Sequence, residues 1–340
     1  MRYKLLGKSG LRVSEVALGT MTFGEDWGWG ASKEESRKIF DAFVDAGGNF
    51  IDTAINYTNG TSERYVGEFV AADRDYFVVA TKYSLNTRKD DPNAGGNQRK
   101  NMVRAVEESL RRLQTEYIDL YWLHMWDYMT PVEEVLQGLN DLVHTGKVLY
   151  IGISDTPAWV VAKANILAEL HGWSRFVALQ VPYSLAERDP ERELFPMARD
   201  YELALTPWGV IGGGALTGKY NEETSEPKRY KNASDHEKKI AQAIRNVASE
   251  IDRPPSQVAI NWVRAQDFGV PMIPIVGARS EAQLLENLGC LEFALTRDQL
   301  TRLSESSPID LGFPRTFLES EHVKGLIFGE TFEKIDNHRI

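Results

Sequence analysis

Four residues of this chain carry side chains that could act together in proton transfer. Asp52, Lys82 and His124 each end a short apolar segment that predicts a buried strand, and Tyr57 follows Asp52 in the polar stretch NYTNGTSE. Charged side chains are rarely buried unless they are paired, so Lys82 is a natural partner for Asp52. We expect the lysine ammonium to lower the pKa of a nearby tyrosine from its usual value of about 10. Such a tyrosine could give a proton to a developing alkoxide at neutral pH.

Each of these residues also has an ordinary explanation when it is taken alone. An aspartate at a strand end often caps a turn, a lysine after a strand is usually solvated, and His124 in YWLHMW fits a buried histidine of the core or rim. The chemical interpretation therefore depends on whether the fold brings the four side chains to one place. The order of strands and helices decides this.

Short apolar segments alternate with helical patterns along the chain. Eight segments predict strands, at 16–18, 50–51, 77–80, 118–123, 148–153, 177–180, 203–206 and 272–276. Helical patterns lie between and after them, at 33–46, 63–71, 99–113, 132–145, 157–171, 191–201, 237–250 and 281–288. The strands are continuously apolar, which is typical of a parallel sheet covered by helices. The polar segment 221–236 predicts a mobile loop.

Eight strand–helix units favour an α/β fold of the closed (β/α)8 TIM-barrel type. We expect one barrel domain over residues 1–340, with a short N-terminal hairpin that turns at 7–10 and extra helices at 256–266 and 297–306. The alternative is an open doubly wound sheet, but the first strand continues as ALGTMTFG, which lacks the glycine spacing of the dinucleotide motif. In a barrel, the carboxyl ends of all strands open on one face, so the polar strand ends would meet there.

The composition narrows the classes of function. The 340 residues carry a net charge of -10 and one cysteine, Cys290. The acidic balance argues against nucleic-acid binding, and no apolar run predicts a membrane span. Without a secretory signal or a possible intramolecular disulfide, we expect a cytoplasmic protein. Of 6 histidines, only His124 ends a predicted strand, so no metal site is predicted.

Several motifs, in order, resemble those of the aldo-keto reductases over roughly residues 3–290. GNFIDTAINYTNGTSE resembles the stretch that carries the catalytic aspartate and tyrosine of that family, and VVATKY and YIDLYWLHMWD resemble the strands that carry its lysine and histidine. GKVLYIGIS, LQVPYSL, LTPWGVIGGGALTGKY and IPIVGARSEAQLLEN follow. GFPRTFLES resembles a tail segment of the aryl-alcohol-dehydrogenase-like branch.

The resemblance implies hydride transfer and assigns roles within it. Asp52, Tyr57, Lys82 and His124 match the catalytic tetrad of the family. Tyr57 would be the acid in carbonyl reduction, Lys82 paired with Asp52 would lower its pKa, and His124 would orient the carbonyl. The hydride would come from a nicotinamide, because no side chain can supply one.

The resemblance also implies a site for NADP(H). Ser154 and Gln180 match residues that hold the carboxamide, Asp155 stands where asparagine is usual, and Trp208 matches the ring that stacks on the nicotinamide. Arg279 at a helix start suits the 2′-phosphate, which favours NADPH over NADH. The predicted cofactor set also includes Gly19, Thr20, Met21, Asp52, Gly209, Val210, Ile211, Gly212, Gly214, Lys219, Gly277, Ala278, Gln283, Glu286 and Asn287.

The expected mouth of the barrel is rich in aromatic residues. This favours apolar or aryl aldehydes and ketones, or flat sugars, as the small-molecule carbonyl partner. The predicted substrate-binding residues are Trp27, Tyr83, His124 and Trp126, with Met21, Trp29 and Tyr128 as further candidates for the pocket wall. The same aromatic residues could instead form a loop cluster or a subunit contact.

Two other functions stay open beside an NADPH-dependent carbonyl reductase. Some proteins of this fold bind the cofactor and serve a channel or sensor with little turnover, although an intact tetrad argues against that role. A metal-dependent barrel hydrolase or isomerase would need several His, Asp or Glu ligands at strand ends. The carbonyl reductase is the function that the sequence favours.

Overall fold

A computed structural model describes residues 1–217 and 234–337. The strands are β1 (Tyr3–Leu5), β2 (Arg12–Ser14), β3 (Ala17–Gly19), β4 (Phe50–Asp52), β5 (Val78–Tyr83), β6 (Ile118–Leu123), β7 (Val148–Ser154), β8 (Phe176–Gln180), β9 (Ala204–Leu205) and β10 (Ile275–Gly277). The helices are α1 (Lys33–Asp45), α2 (Thr61–Val70), α3 (Arg99–Leu113), α4 (Val132–His144), α5 (Ala158–His171), α6 (Leu194–Asp200), α7 (Asp235–Glu250), α8 (Pro255–Arg264), α9 (Glu281–Leu288), α10 (Arg297–Glu305), α11 (Arg315–Leu318) and α12 (Glu321–Phe328). Lys219 and most of the segment predicted as a mobile loop lie outside the described residues.

Strands β3 to β10 form one parallel sheet that closes on itself. Its order is β10-β3-β4-β5-β6-β7-β8-β9. Main-chain hydrogen bonds join β9 to the segment that leads into β10: the Leu205 amide donates to the Pro271 carbonyl oxygen (2.8 Å), and the Ile273 amide donates to that of Leu205 (2.8 Å). The Ile275 amide of β10 donates to the carbonyl oxygen of Pro207, just after β9, at 2.8 Å. The predicted (β/α)8 barrel is therefore confirmed, and the doubly wound alternative is wrong.

Successive residues of the barrel strands face opposite sides, and this separates two apolar cores. The outer core lies between the sheet and the helices. The inner core fills the barrel, and Trp122 is its largest member. Gly152, on the neighbouring strand β7, leaves the space for that ring, because a Cβ atom at Gly152 would collide with it.

The N-terminal hairpin closes the bottom of the barrel. Strands β1 and β2 pair antiparallel, as the sequence predicted. Leu6 and Val13 of the hairpin are fully buried and belong to the inner core. The Lys4 ammonium donates to the Met272 carbonyl oxygen (2.6 Å). The opposite, carboxyl end of the strands is thereby left as the open end.

The helices agree with the predicted intervals, with shifts at their ends. Ser32 caps α1 by accepting a hydrogen bond from the Glu35 amide. Helix α6 begins at Leu194, later than predicted, because 189–191 forms a separate short turn of 3₁₀ helix. Helices α11 and α12 were not predicted. In the described parts of the chain, none of the helices has both the length and the apolar character needed to span a bilayer.

Candidate active site

The carboxyl ends of β4, β5 and β6 bring the four singled-out residues together. Lys82 Nζ lies 2.5 Å from Asp52 Oδ2 and donates to the Thr53 carbonyl oxygen at 2.8 Å. The Tyr57 hydroxyl group lies 3.3 Å from Lys82 Nζ. The His124 ring is centred 6.2 Å from the Tyr57 ring and is nearly perpendicular to it. These residues form one cluster at the open end of the barrel.

The Asp52 carboxylate is held by both of its oxygens. Gln180 Nε2, at the end of β8, donates to Asp52 Oδ1 at 3.1 Å. Strand β8 lies opposite β4 in the barrel, so this bond spans the interior. Asp52, Lys82 and Gln180 are all buried. A buried ion pair of this kind is tolerated because both charges are neutralised and hydrogen-bonded.

Tyr57 lies in a tight turn that neighbouring elements hold in place. The three residues that follow it, 58–60, all have positive φ angles of 44°, 53° and 86°. Arg112 of α3 donates to the Ile55 carbonyl oxygen at 2.7 Å, and its guanidinium fills the space where a Cβ atom at Gly60 would lie. Such a turn persists only where its surroundings enforce it. The position of Tyr57 is therefore fixed by contacts within the chain.

The charges of the cluster follow from burial and from the Asp52–Lys82 pair. Burial is the largest single influence and would lower the pKa of Lys82, but the charges and hydrogen bonds of Asp52 and Tyr57 together outweigh it, so that the pKa of Lys82 lies above its usual value. Burial raises the pKa of Tyr57, against the opposing effect of Lys82. Burial, with the Lys82 charge second, lowers the pKa of His124 to about 3. At neutral pH, Lys82 is charged while Tyr57 and His124 are neutral.

The pKa of Tyr57 is thus raised overall, so the expected decrease is wrong as a net result. The ammonium does act in the expected sense. Moving a phenolate out of water costs more than this one attraction returns. Tyr57 is consequently a protonated donor at neutral pH.

Several buried polar atoms near the cluster lack partners, two of them on residues predicted to belong to the site. Ser154 Oγ, at the end of β7, and His124 Nδ1 have no hydrogen bond among the described residues. Buried hydroxyl groups are normally hydrogen-bonded, so an unpaired one beside an open rim fits a polar group of a ligand. Trp208, which follows β9, keeps 42% of its surface exposed. Its exposed indole ring can stack on a flat ligand.

Asp155 has an unusual backbone conformation and environment. Its φ angle is +40°, in the left-handed region that is uncommon for residues other than glycine. Burial raises the pKa of Asp155 to about 6, opposed by a hydrogen bond from Trp208 and by the Lys82 charge. An ionised carboxylate accepts hydrogen bonds but cannot donate them. Asp155 therefore engages the Trp208 side chain and, when ionised, offers no N–H to a ligand as asparagine would.

The loop after β9 and the start of α9 are the two segments predicted to bind the dinucleotide. Gly209, Gly212 and Gly214 have φ angles of 72°, 56° and 93°, which turn the main chain sharply. Val210 is buried and Ile211 packs on the outer core. Successive turns of this kind can point amide groups at an anion.

Hydrogen bonds within the chain hold the segment at 277–287, which was predicted to face the adenosine. Gln283 Oε1 accepts from the Arg279 amide at 3.0 Å, and Asn287 Nδ2 donates to the Gly277 carbonyl oxygen at 3.4 Å. Glu286 accepts a hydrogen bond from Ser256 at 2.6 Å.

The loop after β3 reaches this side as well. Thr22, next to Met21, donates to the Ala278 carbonyl oxygen at 2.6 Å. Thr20 follows Gly19, the last residue of β3, and its hydroxyl group is buried against Ser62 at 2.8 Å. Thr20 is fully buried: its amide donates to the Asp52 carbonyl oxygen at 2.9 Å, and its own carbonyl oxygen accepts from the Ser62 hydroxyl group at 2.7 Å.

Tyr83 does not line the mouth of the barrel, so its predicted substrate role is wrong. Its ring is fully buried and stacks on Tyr121, with ring centroids 5.3 Å apart. Lys82 and Tyr83 are neighbours on β5, and neighbours on a strand face opposite sides. Because Lys82 faces the barrel interior, Tyr83 must face the helices.

The other predicted wall residues remain at the open end. Trp27 lies beside Tyr57, with ring centroids 6.5 Å apart, and Trp29 lies 5.7 Å from Trp27. Trp126 is half-buried and Tyr128 is exposed. The surroundings of Tyr57 and His124 are therefore aromatic on the Trp27 side.

Sequence reasoning missed the supports of the cluster. It did not connect Gln180 to Asp52 or Arg112 to the Tyr57 turn. The strand-end rule places Gln180 at the same rim as Asp52, whereas no local pattern marks Arg112. Among the described residues, no group of three or more His, Cys, Asp or Glu side chains could hold a metal ion.

Comparison with known proteins agrees with this geometry. The model of the aldo/keto reductase family matches residues 15–308. An aryl-alcohol dehydrogenase [NADP(+)] of Phanerodontia chrysosporium is 40% identical, over 90% of this chain and 85% of that protein. Norsolorinic acid reductase B of Dothistroma septosporum is also 40% identical, over 94% of this chain and 84% of that protein. The norsolorinic acid reductase of Aspergillus flavus is 37% identical, over 92% and 83%. The chain therefore belongs to the aldo/keto reductase family.

Proposed function

We propose that this oxidoreductase uses NADPH to reduce small aldehydes and ketones, aryl ones among them, to alcohols. The observation that carries the proposal is the Asp52–Lys82–Tyr57 chain of contacts, with His124 beside it, at the open end of the barrel. Among similar proteins, one is named as an NADP(+)-dependent aryl-alcohol dehydrogenase. The aromatic side chains around Tyr57 suit a flat apolar substrate.

The residues present fit a nicotinamide dinucleotide. The unpaired hydroxyl group of Ser154 suits the carboxamide, the exposed ring of Trp208 suits the nicotinamide face, and the turns at 209–214 suit the pyrophosphate. When bound, such a cofactor supplies the hydride that adds to the carbonyl carbon. Arg279, at the start of α9, would meet the 2′-phosphate that distinguishes NADPH from NADH.

Each side chain of the cluster has its own role in the proposed proton transfer. Tyr57 gives the proton of its hydroxyl group to the carbonyl oxygen as negative charge develops there. Lys82 stabilises the phenolate that remains, and Asp52, fixed by Gln180, keeps Lys82 in place. His124 is neutral and orients the carbonyl oxygen by hydrogen bonding without adding charge.

Replacing the proposed acid is the direct test. Tyr57→Phe removes the donor, so we expect the rate of aryl-aldehyde reduction to fall about 10²- to 10⁴-fold. NADPH affinity, measured by quenching of tryptophan fluorescence, should change little. Tyr128→Phe is the matched control, because Tyr128 is exposed at the same rim. A Tyr57→Phe variant with the wild-type rate would exclude Tyr57 as the acid.

The same titration tests the phosphate assignment. Arg279→Ala removes a charged hydrogen-bond donor, and we expect NADPH binding to weaken about tenfold or more while NADH binding changes little. Arg297→Ala, an exposed arginine on α10, serves as the control. Equal weakening of both nucleotides would remove the phosphate role. Tight NADPH binding without turnover of any carbonyl would instead favour a cofactor-binding regulatory subunit.

A further inference from the structure

Helix α5 carries an apolar stripe on the side that faces away from the barrel. Trp159, Ile166 and Leu170 are 65%, 47% and 74% exposed. Their spacing places all three on one face of the helix. The opposite face of α5 is also apolar and packs on the barrel through Val160, Val161, Ala164 and Ala168. A helix that is apolar on both sides is expected to be covered on both sides.

Helix α4, the neighbour of α5, has a polar outer face instead. On α4, the exposed positions at helical spacing are Glu133, Gln137 and Asp141, which are all polar. Both helices cover adjacent strands of the same barrel. The apolar stripe of α5 is thus absent from its neighbour α4.

The charges on α5 identify what could cover the stripe. Lys163 lies three positions before Ile166, and Glu169 lies three positions after it. If a second α5 packs antiparallel with Ile166 against Ile166, Lys163 of each copy meets Glu169 of the other. The same pairing sets the large Leu170 opposite the small Ala162. The surface is therefore complementary to itself in charge and in shape, which is what a two-fold contact requires.

The present partners of these charges do not prevent such a contact. Lys163 lies 3.0 Å from Glu133, and Glu169 lies 3.7 Å from Arg175. Both pairs are exposed, and exposed ion pairs contribute only about 0–1 kcal/mol. Glu133 and Arg175 could share these charges with a second copy.

We propose that the chain forms a homodimer through the α5 face, which consists of Trp159, Ala162, Lys163, Ile166, Glu169 and Leu170. The two α5 helices run antiparallel across the two-fold axis, with Ile166 at the centre. The active site opens at the ends of the strands, so each protomer keeps its own site. The dimer needs no residue of the catalytic cluster.

Sedimentation velocity over a range of protein concentrations tests the apolar centre of the interface. We expect the full chain to sediment as a dimer and Ile166→Glu and Leu170→Glu to sediment as monomers with unchanged circular dichroism. Leu326→Glu, on α12, changes an equally exposed leucine elsewhere and should remain dimeric. A wild-type chain that is monomeric at every concentration would overturn the proposal, as would a dimer that survives both α5 variants.

Charge reversal tests the antiparallel pairing. Lys163→Glu places two carboxylates against each other at both of the symmetric contacts. We therefore expect the dissociation constant of the dimer to rise about tenfold. Lys163→Glu combined with Glu169→Lys restores opposite charges and should restore the wild-type dimer. Glu133→Lys is the control, because it disrupts the contact within the chain and leaves the proposed one. A double variant as weak as Lys163→Glu alone would refute this pairing.

Discussion

Burial decides the protonation of the cluster at the residue scale. The Lys82 ammonium favours a phenolate at Tyr57, but burial of the tyrosine has the larger effect and keeps its proton in place. Neutral His124 and protonated Tyr57 thus offer hydrogen-bonding atoms, and Lys82 supplies the positive charge. This arrangement suits carbonyl reduction, in which a proton must be held until negative charge develops.

Asp155 makes the stability of the fold depend on pH. Its pKa is raised to about 6 in the folded chain, against about 3.9 in an unfolded one. The folded state therefore binds more protons between these values, and stability falls as pH rises from about 4 to about 6. Asp155→Asn removes the buried charge. We expect it to raise the free energy of unfolding by about 1–3 kcal/mol at pH 8 and to change it little at pH 4.

Urea denaturation at the two pH values measures this difference. Asp127→Asn is the control, because the pKa of Asp127 is shifted in the opposite direction. Burial would raise the pKa of Asp127, but hydrogen bonds from Asn97, Thr130 and Met129 lower it. That variant should lose stability at pH 8. A gain for Asp155→Asn that is equal at both pH values would show that ionisation is not its cause.

At the scale of elements, a buried network ties α2 and α3 to the turn that carries Tyr57. Glu63 of α2 is fully buried and accepts hydrogen bonds from Thr81, next to Lys82, at 2.7 Å and from Arg112 at 3.1 Å. Arg112 also holds the Ile55 carbonyl oxygen. One ion pair thereby links the strand that carries the lysine to the turn that carries the tyrosine.

Breaking that pair on one side should be costly. Arg112→Met leaves the Glu63 carboxylate buried without a cation, and we expect a loss of about 3–5 kcal/mol in the free energy of unfolding. Adding Glu63→Gln removes the unpaired charge and should restore part of the loss. Arg111→Met, an exposed neighbour on α3, should change stability by less than about 0.5 kcal/mol. Chemical denaturation compares them, and equal stability of the single and double variants would contradict the network.

At the scale of the whole molecule, the barrel is closed at one end and open at the other. The hairpin buries Leu6 and Val13 against the inner core. Asp52, Tyr57, Lys82 and His124 lie at the other end, at or just after the carboxyl ends of the strands. Stability and chemistry are thus largely assigned to opposite ends of the same barrel.

Truncating the hairpin core should lower stability without changing chemistry. Leu6→Ala opens a cavity beneath the barrel, and we expect it to cost about 2–5 kcal/mol in the free energy of unfolding. Its neighbour Leu5 is 50% exposed, so Leu5→Ala should cost far less. Thermal unfolding measures both. Any change in the kcat of folded Leu6→Ala protein would show that the two ends are coupled.

Much of this architecture was readable from local patterns. Helix periodicity and continuous apolar strands predicted the eight strand–helix units, because these signals act over a few residues. The ends of the apolar segments also placed Asp52, Lys82 and His124 at strand ends. Helices α11 and α12 escaped prediction because their apolar residues do not mark a buried face; Phe317 and Leu326, for example, are exposed.

The sequence by itself determined the barrel class, the order of its elements and the residues that could transfer a proton. Only the tertiary structure decided which neighbours share a side: it placed Lys82 inside the barrel and Tyr83 outside, linked Gln180 to Asp52 across the interior, and made burial outweigh charge at Tyr57. It also left an apolar outer face on α5. The reason is physical: secondary structure follows from short-range periodicity, whereas strand facing, pairing across a barrel and desolvation arise only when distant segments close on one another.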